Sequence, residues 1–284
     1  MTPADPDQVR ASTRETWETA ARGWGKRADR VREWGLPVSV AMVESLDLQP
    51  GQRVLELAAG PGDTGFMAAE LVRPGGLLIC SDGAEPMLEV ARRRAAEAGV
   101  DNVEFRQLEL EWIDLDTASV DAVLVRWGIM LVVDPEAAAR EIRRVLRARG
   151  HAAFAVWDAR ERNPWATIPS NALIELGHAE PPDPDAPGPF ALAGDGALAE
   201  VLEGAGFIDV EVSAVEVLRR YSSVEEMVLE SADVSPGFSA AWRTLTEEQR
   251  AELTAHIASA ATPFTDADGS VILPGVSLVA RAGA

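Results

Sequence analysis

Arg53-Val-Leu-Glu-Leu-Ala-Ala-Gly-Pro-Gly-Asp-Thr-Gly65 joins a short apolar run to a glycine-rich turn and then to a segment with helical spacing. The glycines of Gly60-Pro-Gly62-Asp-Thr-Gly65 lie where a strand must turn tightly into a helix and let a ligand approach bare backbone. Free N–H groups at such a helix start attract an anion, either a pyrophosphate or a carboxylate. The spacing matches the dinucleotide fingerprint literally, and alone it is a weak signal. Asp82 ends the next apolar run about 20 residues further on, where a carboxylate can accept hydrogen bonds from both hydroxyls of a ribose. NAD and S-adenosylmethionine sites share both features, so these residues select nucleoside binding without choosing between the cofactors.

Outward from this stretch, apolar runs alternate with helical patterns. Strands are expected at 53–58, 77–81, 103–107, 120–126 and 151–157, with helices at 63–72, 84–98 and 134–148. Such alternation implies parallel strands joined by crossover helices. Asp134-Pro135 supplies an N-cap and a first-turn proline, and Gly99 a helix stop. Residues 6–47 read as helical because Trp17, Ala21, Trp24, Ala28 and Val31 recur on one face. Beyond Asp158 the pattern becomes irregular, and the proline-rich run Pro181–Pro189 reads as a loop. A helix at 195–205, a strand from Phe207 to about Leu218, two helices announced by Ser223-Val-Glu-Glu226 and Thr246-Glu-Glu-Gln249, and a closing strand at 271–280 complete the order.

Several ordered segments resemble class I S-adenosylmethionine-dependent methyltransferases of the ubiquinone/menaquinone methyltransferase-like branch. Glu56-Leu-Ala-Ala-Gly60-Pro-Gly62 resembles their first motif, Ser81-Asp82-Gly-Ala-Glu-Pro-Met87 the segment under the ribose, and Leu108-Glu109-Leu110 the third-strand segment, where the family more often has Gly-Asp. Val120-Asp121-Ala-Val, Val125-Arg126-Trp127 and Ala137–Leu146 are similar to the fourth strand and following helix, with Ala148-Arg149-Gly150 replacing the usual Pro-Gly-Gly turn. The resemblance implies a Rossmann-like, doubly wound α/β fold with a seven-stranded, mostly parallel sheet and a helical cap. It places S-adenosylmethionine against Glu56, Ala58, Gly60, Gly62, Asp82, Gly83, Met87, Glu109, Leu110, Arg126 and Trp127, and implies in-line methyl transfer to a small molecule. The expected division is a binding domain at 50–221 and 266–284, with cap segments at 1–49, 160–194 and 222–265. The alternatives are an NAD(P)-dependent oxidoreductase and a non-methylating nucleoside-binding protein.

Composition narrows the partners. A formal charge of -20 repels phosphate backbones and anionic lipid, excluding nucleic acid and membrane surfaces as main partners and favouring a small neutral or cationic acceptor. The N-terminus lacks a signal-peptide order and no run is long enough to span a membrane, so a cytoplasmic protein is expected, with homo-oligomerisation left open. Cys80 lies in an apolar run and reads as a small buried hydrophobe; no metal site is expected. Lys26 is the one lysine, and with so few nucleophiles or bases the chemistry falls to a cofactor. His151 and His256 read as structural. The candidates for an acceptor-side base are His178, before the proline run, and Asp158, at the carboxyl end of its strand. Tryptophans 17, 24, 34 and 165, with Phe190 and Trp242, concentrate in the expected cap. Trp17, Trp24 and Trp165 are the candidate walls of an aromatic acceptor pocket, with cation–π contact to a sulfonium or amine as an extra.

Overall fold

The computed structural model describes residues 5–183 and 186–284; the first four residues, and residues 184 and 185 at the centre of the proline-rich loop, lie outside the described residues. The chain begins with a 40-residue helix, α1 (Pro6–Ser45), capped by Asp5 and started by proline. There follow β1 (Arg53–Leu57), α2 (Asp63–Leu71), β2 (Leu77–Asp82), α3 (Glu85–Ala98), β3 (Val103–Gln107), β4 (Val120–Arg126), α4 (Pro135–Val145) and β5 (Leu146–Trp157). The second half holds α5 (Pro164–Glu175), α6 (Ala197–Gly204), β6 (Ile208–Tyr221), α7 (Val224–Val234), α8 (Pro236–Thr244), α9 (Glu247–Ala261) and β7 (Val271–Gly283).

The seven strands form one sheet in the order β3-β2-β1-β4-β5-β7-β6. β1 to β5 run parallel and β7 is antiparallel to both neighbours, as the expected fold requires. The order reverses at β1, next to β4, and in such sheets ligands bind outside the carboxyl ends at that point. β1, β2, β4 and β5 are almost continuously buried, because helices cover both faces. β6 alternates exposed with buried residues only towards its end, as an edge strand does.

Three departures from the sequence reading have local causes. The strand expected at 151–157 starts at Leu146: Leu146 pairs with Val120 and His151 with Ala122, so the intervening residues form a bulge that holds Arg149 at a positive φ of 68°. Helix α5 falls in the segment read as irregular, where Pro164 at its start and Pro169 within it blur the periodicity. α8 separates the two helices expected after β6. Both expected caps form. Thr246 makes a complete capping box, whereas Ser223 accepts from Glu226 N–H and the Glu226 side chain returns to Ser222 instead.

Two cores result. The larger surrounds the sheet and takes in Val31, Trp34, Val38 and Met42 of α1. The smaller joins α5, α7, α8 and α9 to the start of β7 through Leu173, Met227, Phe238, Leu253 and Val271.

Candidate functional site

Glu56, the fourth residue of β1, carries its carboxyl beneath the glycine loop, where it accepts the Gly65 N–H at 2.9 Å. Burial pushes this carboxyl up to about 8, opposed chiefly by Arg126 nearby. Gly65 must be glycine because a Cβ there would stand 2.2 Å from Glu56 Oε2. Gly62, at φ 86°, turns the chain into α2, and its missing Cβ makes room for the Phe66 ring. Glu56 and Gly62 therefore build the loop from below, and neither is among the residues that line the cleft.

Gly60 does reach it. Its N–H donates to Asp82 Oδ2 at 2.9 Å, while Asp82 Oδ1 accepts the Ala84 N–H at 2.9 Å, so one carboxylate ties the glycine loop to the start of α3. Each oxygen keeps a lone pair for a ligand. Burial raises the Asp82 carboxyl to about 6 against the pull of these two bonds. Above this floor the ring of Trp24 lies against Gly60, held by its indole N–H on the Val234 carbonyl at 3.0 Å.

One cleft of about 930 Å³, counted out to its open mouth, connects these groups. Its wall includes Ala58, Gly60, Asp82, Gly83 and Met87 from the first two strand ends, Glu109 and Leu110 from the segment after β3, and Arg126 and Trp127 after β4. Of the eleven residues expected at the cofactor, all but Glu56 and Gly62 line it. Ala58 and Trp127 hold positive φ of 50° and 58°, unfavourable for residues with a side chain, and both stand at carboxyl ends of adjacent strands facing this cleft. Trp17 and Trp24 line the same cleft from α1, with their rings edge to face at 5.8 Å.

Sequence reading missed what α1 contributes. Arg10 pairs with Glu111 at 2.8 Å and Arg14 with Glu109 at 2.6 Å, drawing the first turns of α1 across the cleft. No periodic signal marks these arginines, since they lie off the apolar stripe. Arg126 is buried and donates to Ser39 of α1 at 3.0 Å. Among the described residues no carboxylate lies within 4.0 Å of Arg126, and burial holds its guanidinium below the usual range.

Trp165 is not on the cleft wall. Its indole N–H donates to Asn163 Oδ1 at 2.9 Å, and its ring joins Trp157, 4.6 Å away between centroids. Trp157 stacks on Trp127 at 4.4 Å, and Trp34 of α1 lies 5.4 Å from Trp127. Arg219 of β6 fills the space between them, its guanidinium carbon 3.8 Å from the Trp34 ring centre and 3.5 Å from that of Trp165. The cation–π position expected to receive a ligand is thus taken by the protein's own arginine.

The base candidates are placed elsewhere. Asp158 is buried at the end of β5 and accepts the Ala159 N–H and the Arg162 guanidinium. His178 follows α5, its backbone N–H closing the helix on the Leu173 carbonyl, and it does not line the cleft. His256 pairs with Glu175. Cys80 is buried, and its thiol is pushed up by burial beside Glu56. Among the described residues there is no cluster fit to hold a metal ion.

Residues 48–178 match the family model described as a methyltransferase domain. Over that span the chain is similar to a methyltransferase domain. Among curated proteins it is 39% identical over 111 residues to a demethylmenaquinone methyltransferase of Clavibacter sepedonicus, covering 39% of this chain and 43% of that protein. It is 26% identical over 234 residues to nocamycin O-methyltransferase of Saccharothrix syringae, covering 79% and 83%. The chain thus spans less than half of the first relative's length. The YcgJ protein of Bacillus subtilis has the same fold, with a TM-score of 0.57 at 18% identity over 86% of this chain and 97% of that one. These matches give no support to a nicotinamide enzyme.

The domain's cofactor is S-adenosylmethionine, and the wall fits it. Asp82 offers paired acceptors to a ribose, Leu110 and Met87 offer apolar faces to a base, and Arg126, without a carboxylate partner, faces the end where an amino-acid carboxylate belongs. The helix start suits it too. Glu56 already occupies the Gly65 N–H of α2, and Asp63 stands beside it paired with Arg94 at 2.8 Å, so two carboxyl groups crowd the place where a pyrophosphate would need free donors. Among the described residues no helix is long and apolar enough to cross a membrane.

Proposed function

We propose that the protein transfers the methyl group of S-adenosylmethionine to a small-molecule acceptor by in-line displacement, and that the α1 and α5–α9 segments cap the acceptor side. The observation that carries this reading is Glu56 on the Gly65 N–H in the first turn of α2, with Asp63 beside it, which favours a nucleoside with an amino-acid arm over a dinucleotide. The bound cofactor supplies an electrophilic methyl group on a sulfonium. The protein's part is placement and exclusion of water. Asp82 fixes the ribose, Arg126 the carboxylate end, and Trp24 and Trp127 close the cleft around the reacting region. The acceptor's nucleophilic atom attacks the methyl carbon, and of the carboxylates on the wall Glu109 and Glu111 are held by Arg14 and Arg10. Calorimetric titration with S-adenosylhomocysteine and with NAD tests the reading. Micromolar binding of the first and none of the second is expected; the reverse order refutes it.

A further inference from the structure

Arg126 is a buried cation that also lines the cleft, at the carboxyl end of β4. Among the described residues its guanidinium donates one hydrogen bond, from Nη1 to Ser39 Oγ of α1 at 3.0 Å. Ser39 is 2% exposed. Having accepted from Arg126, its hydroxyl keeps its own proton for Thr64 Oγ1, which lies 2.8 Å away in the first turn of α2 and is fully buried. Three elements far apart in sequence, α1, β4 and α2, thus meet in one buried polar chain beside the glycine loop.

The notch that α1 offers is shaped as well as polar. Gly35 stands one turn before Ser39 on the same face, and a Cβ there would lie 2.7 Å from Arg126 Nη1 and 3.3 Å from the Trp127 ring. Gly35 is inside the helix, so the need for glycine is one of space and not of backbone angle. The Trp127 ring lies on another side, its centre 4.8 Å from the guanidinium carbon. Gly35, Ser39 and Trp127 therefore hold the guanidinium from three directions.

No ion pair cancels the charge in that seat. The carboxyl groups acting on Arg126 are Asp63 and Glu56, and among the described residues neither comes within 4.0 Å. Asp63 is engaged by Arg94 at 2.8 Å, and burial raises Glu56 to about 8, so that it is mostly neutral at pH 7. A buried guanidinium at a cleft wall without a counter-ion is a site prepared for an anion. An arginine loses rotamer freedom when it meets a ligand, and fixing it beforehand removes that cost from binding.

We propose that Ser39 is a positioning residue: together with the space at Gly35 it seats Arg126 so that the guanidinium meets the carboxylate of the cofactor's amino-acid arm. Ser39 is not on the cleft wall and acts through Arg126. The proposal rests on the reading that puts the cofactor's carboxylate at Arg126.

The full chain is titrated calorimetrically at pH 7.5 with S-adenosylhomocysteine and with its decarboxylated analogue S-adenosyl-3-thiopropylamine, which keeps the nucleoside, the sulfur and the amine. Wild type should prefer S-adenosylhomocysteine by about tenfold or more, although the chain's charge of -20 favours the cationic analogue. Ser39→Ala should cut that preference at least threefold by weakening S-adenosylhomocysteine, with the analogue bound within twofold of wild type. Gly35→Ala removes no polar atom and suits a helix; it should cut the preference likewise, and it carries the test if Ser39→Ala does not fold. Equal weakening of both ligands makes the role of Ser39 one of packing alone and overturns the proposal, as does an unchanged preference in either folded variant. Arg126→Met tests the underlying reading separately. A preference that survives Arg126→Met, or is missing from wild type, removes the carboxylate from Arg126 and the proposal falls with it. A preference lost in Arg126→Met but kept in Ser39→Ala leaves that reading standing and overturns the positioning role alone.

Discussion

Replacing Asp82 by Asn removes one charge and changes almost no volume, which makes it the sharpest perturbation of the cleft. In the wild type each carboxylate oxygen accepts one backbone N–H at 2.9 Å, from Gly60 and from Ala84. Asn has one oxygen for two donors, so one of these bonds is lost, and a ribose hydroxyl loses a charged acceptor worth about 1.5–3 kcal/mol. At about 1.4 kcal/mol per tenfold, S-adenosylhomocysteine should bind roughly ten- to a hundredfold more weakly at pH 7.5. Stability should change little. The fold raises this carboxyl to about 6, so its ionisation opposes folding: as pH rises from the unfolded value near 3.8 to about 6, the wild type loses stability that the amide keeps. That gain offsets the lost backbone bond. The pH dependence of binding runs the other way, because the carboxylate is the competent acceptor. Calorimetry from pH 5 to pH 8 should show wild-type affinity flat above about 7 and falling as pH drops through 6, and the Asn variant flat throughout. Binding within threefold of wild type at pH 7.5, or a wild type with no decline by pH 5, would falsify the ribose assignment.

Glu56→Gln tests the second buried acid. Its carboxyl is raised to about 8, so wild-type stability should fall as pH rises from about 4.5 to 8, and the Gln variant, with its oxygen still on Gly65 N–H, should be the more stable by a margin that grows over this range and levels off above it. Melting temperatures at pH 6 and pH 9 read the difference; parallel curves would remove Glu56 as the cause. Gly65→Ala puts a Cβ 2.2 Å from Glu56 Oε2 and should cost at least about 1–3 kcal/mol and weaken S-adenosylhomocysteine binding, with Glu56→Ala added to it recovering part of the melting temperature. If the double variant is no more stable than Gly65→Ala, the clash is not the mechanism. Arg14→Ala should move stability by less than about 1 kcal/mol, because the Arg14–Glu109 pair is about half exposed on both sides. A melting temperature several degrees lower would show that this pair, rather than the packing from Ala20 onward, holds α1 in place.

Short-range patterns carry most of the fold. A strand, a glycine turn and a helix are contiguous in sequence, so β1–α2 and its repeats are visible as switches of period, and caps such as Asp134 and Thr246 announce helices one residue before they start. α5 is hidden because prolines at 164 and 169 mask its periodicity. The start of β5 is obscured because a bulge mimics a turn. At the site, residues adjacent to recognisable turns are legible: Gly60, Asp82, Glu109 and Arg126 all lie at or just beyond strand ends. Glu56 and Gly62 lie under the loop and not on the wall, a difference that sequence spacing does not carry. Arg10 and Arg14 reach the site by tertiary contact across about 100 residues, and nothing local to them marks it.

Net charge gives the acceptor its expected character, neutral or cationic, while the interior beside the cleft holds two buried arginines. A whole-chain charge of -20 is spread over a surface facing water, where each carboxylate is hydrated and its field is screened beyond about 8 Å at physiological salt. Arg126 and Arg219 are buried beside the cleft and behind it, with no carboxylate within 4.0 Å among the described residues; Glu56 and Asp63 act on Arg126, and Tyr221 and Glu230 on Arg219, only from further off. Burying an unpaired guanidinium is costly unless something completes it. The methionine carboxylate of the cofactor has the chemistry to complete Arg126. Arg219 is completed from within, by the faces of Trp34 and Trp165 and by Tyr221 and Glu230 nearby.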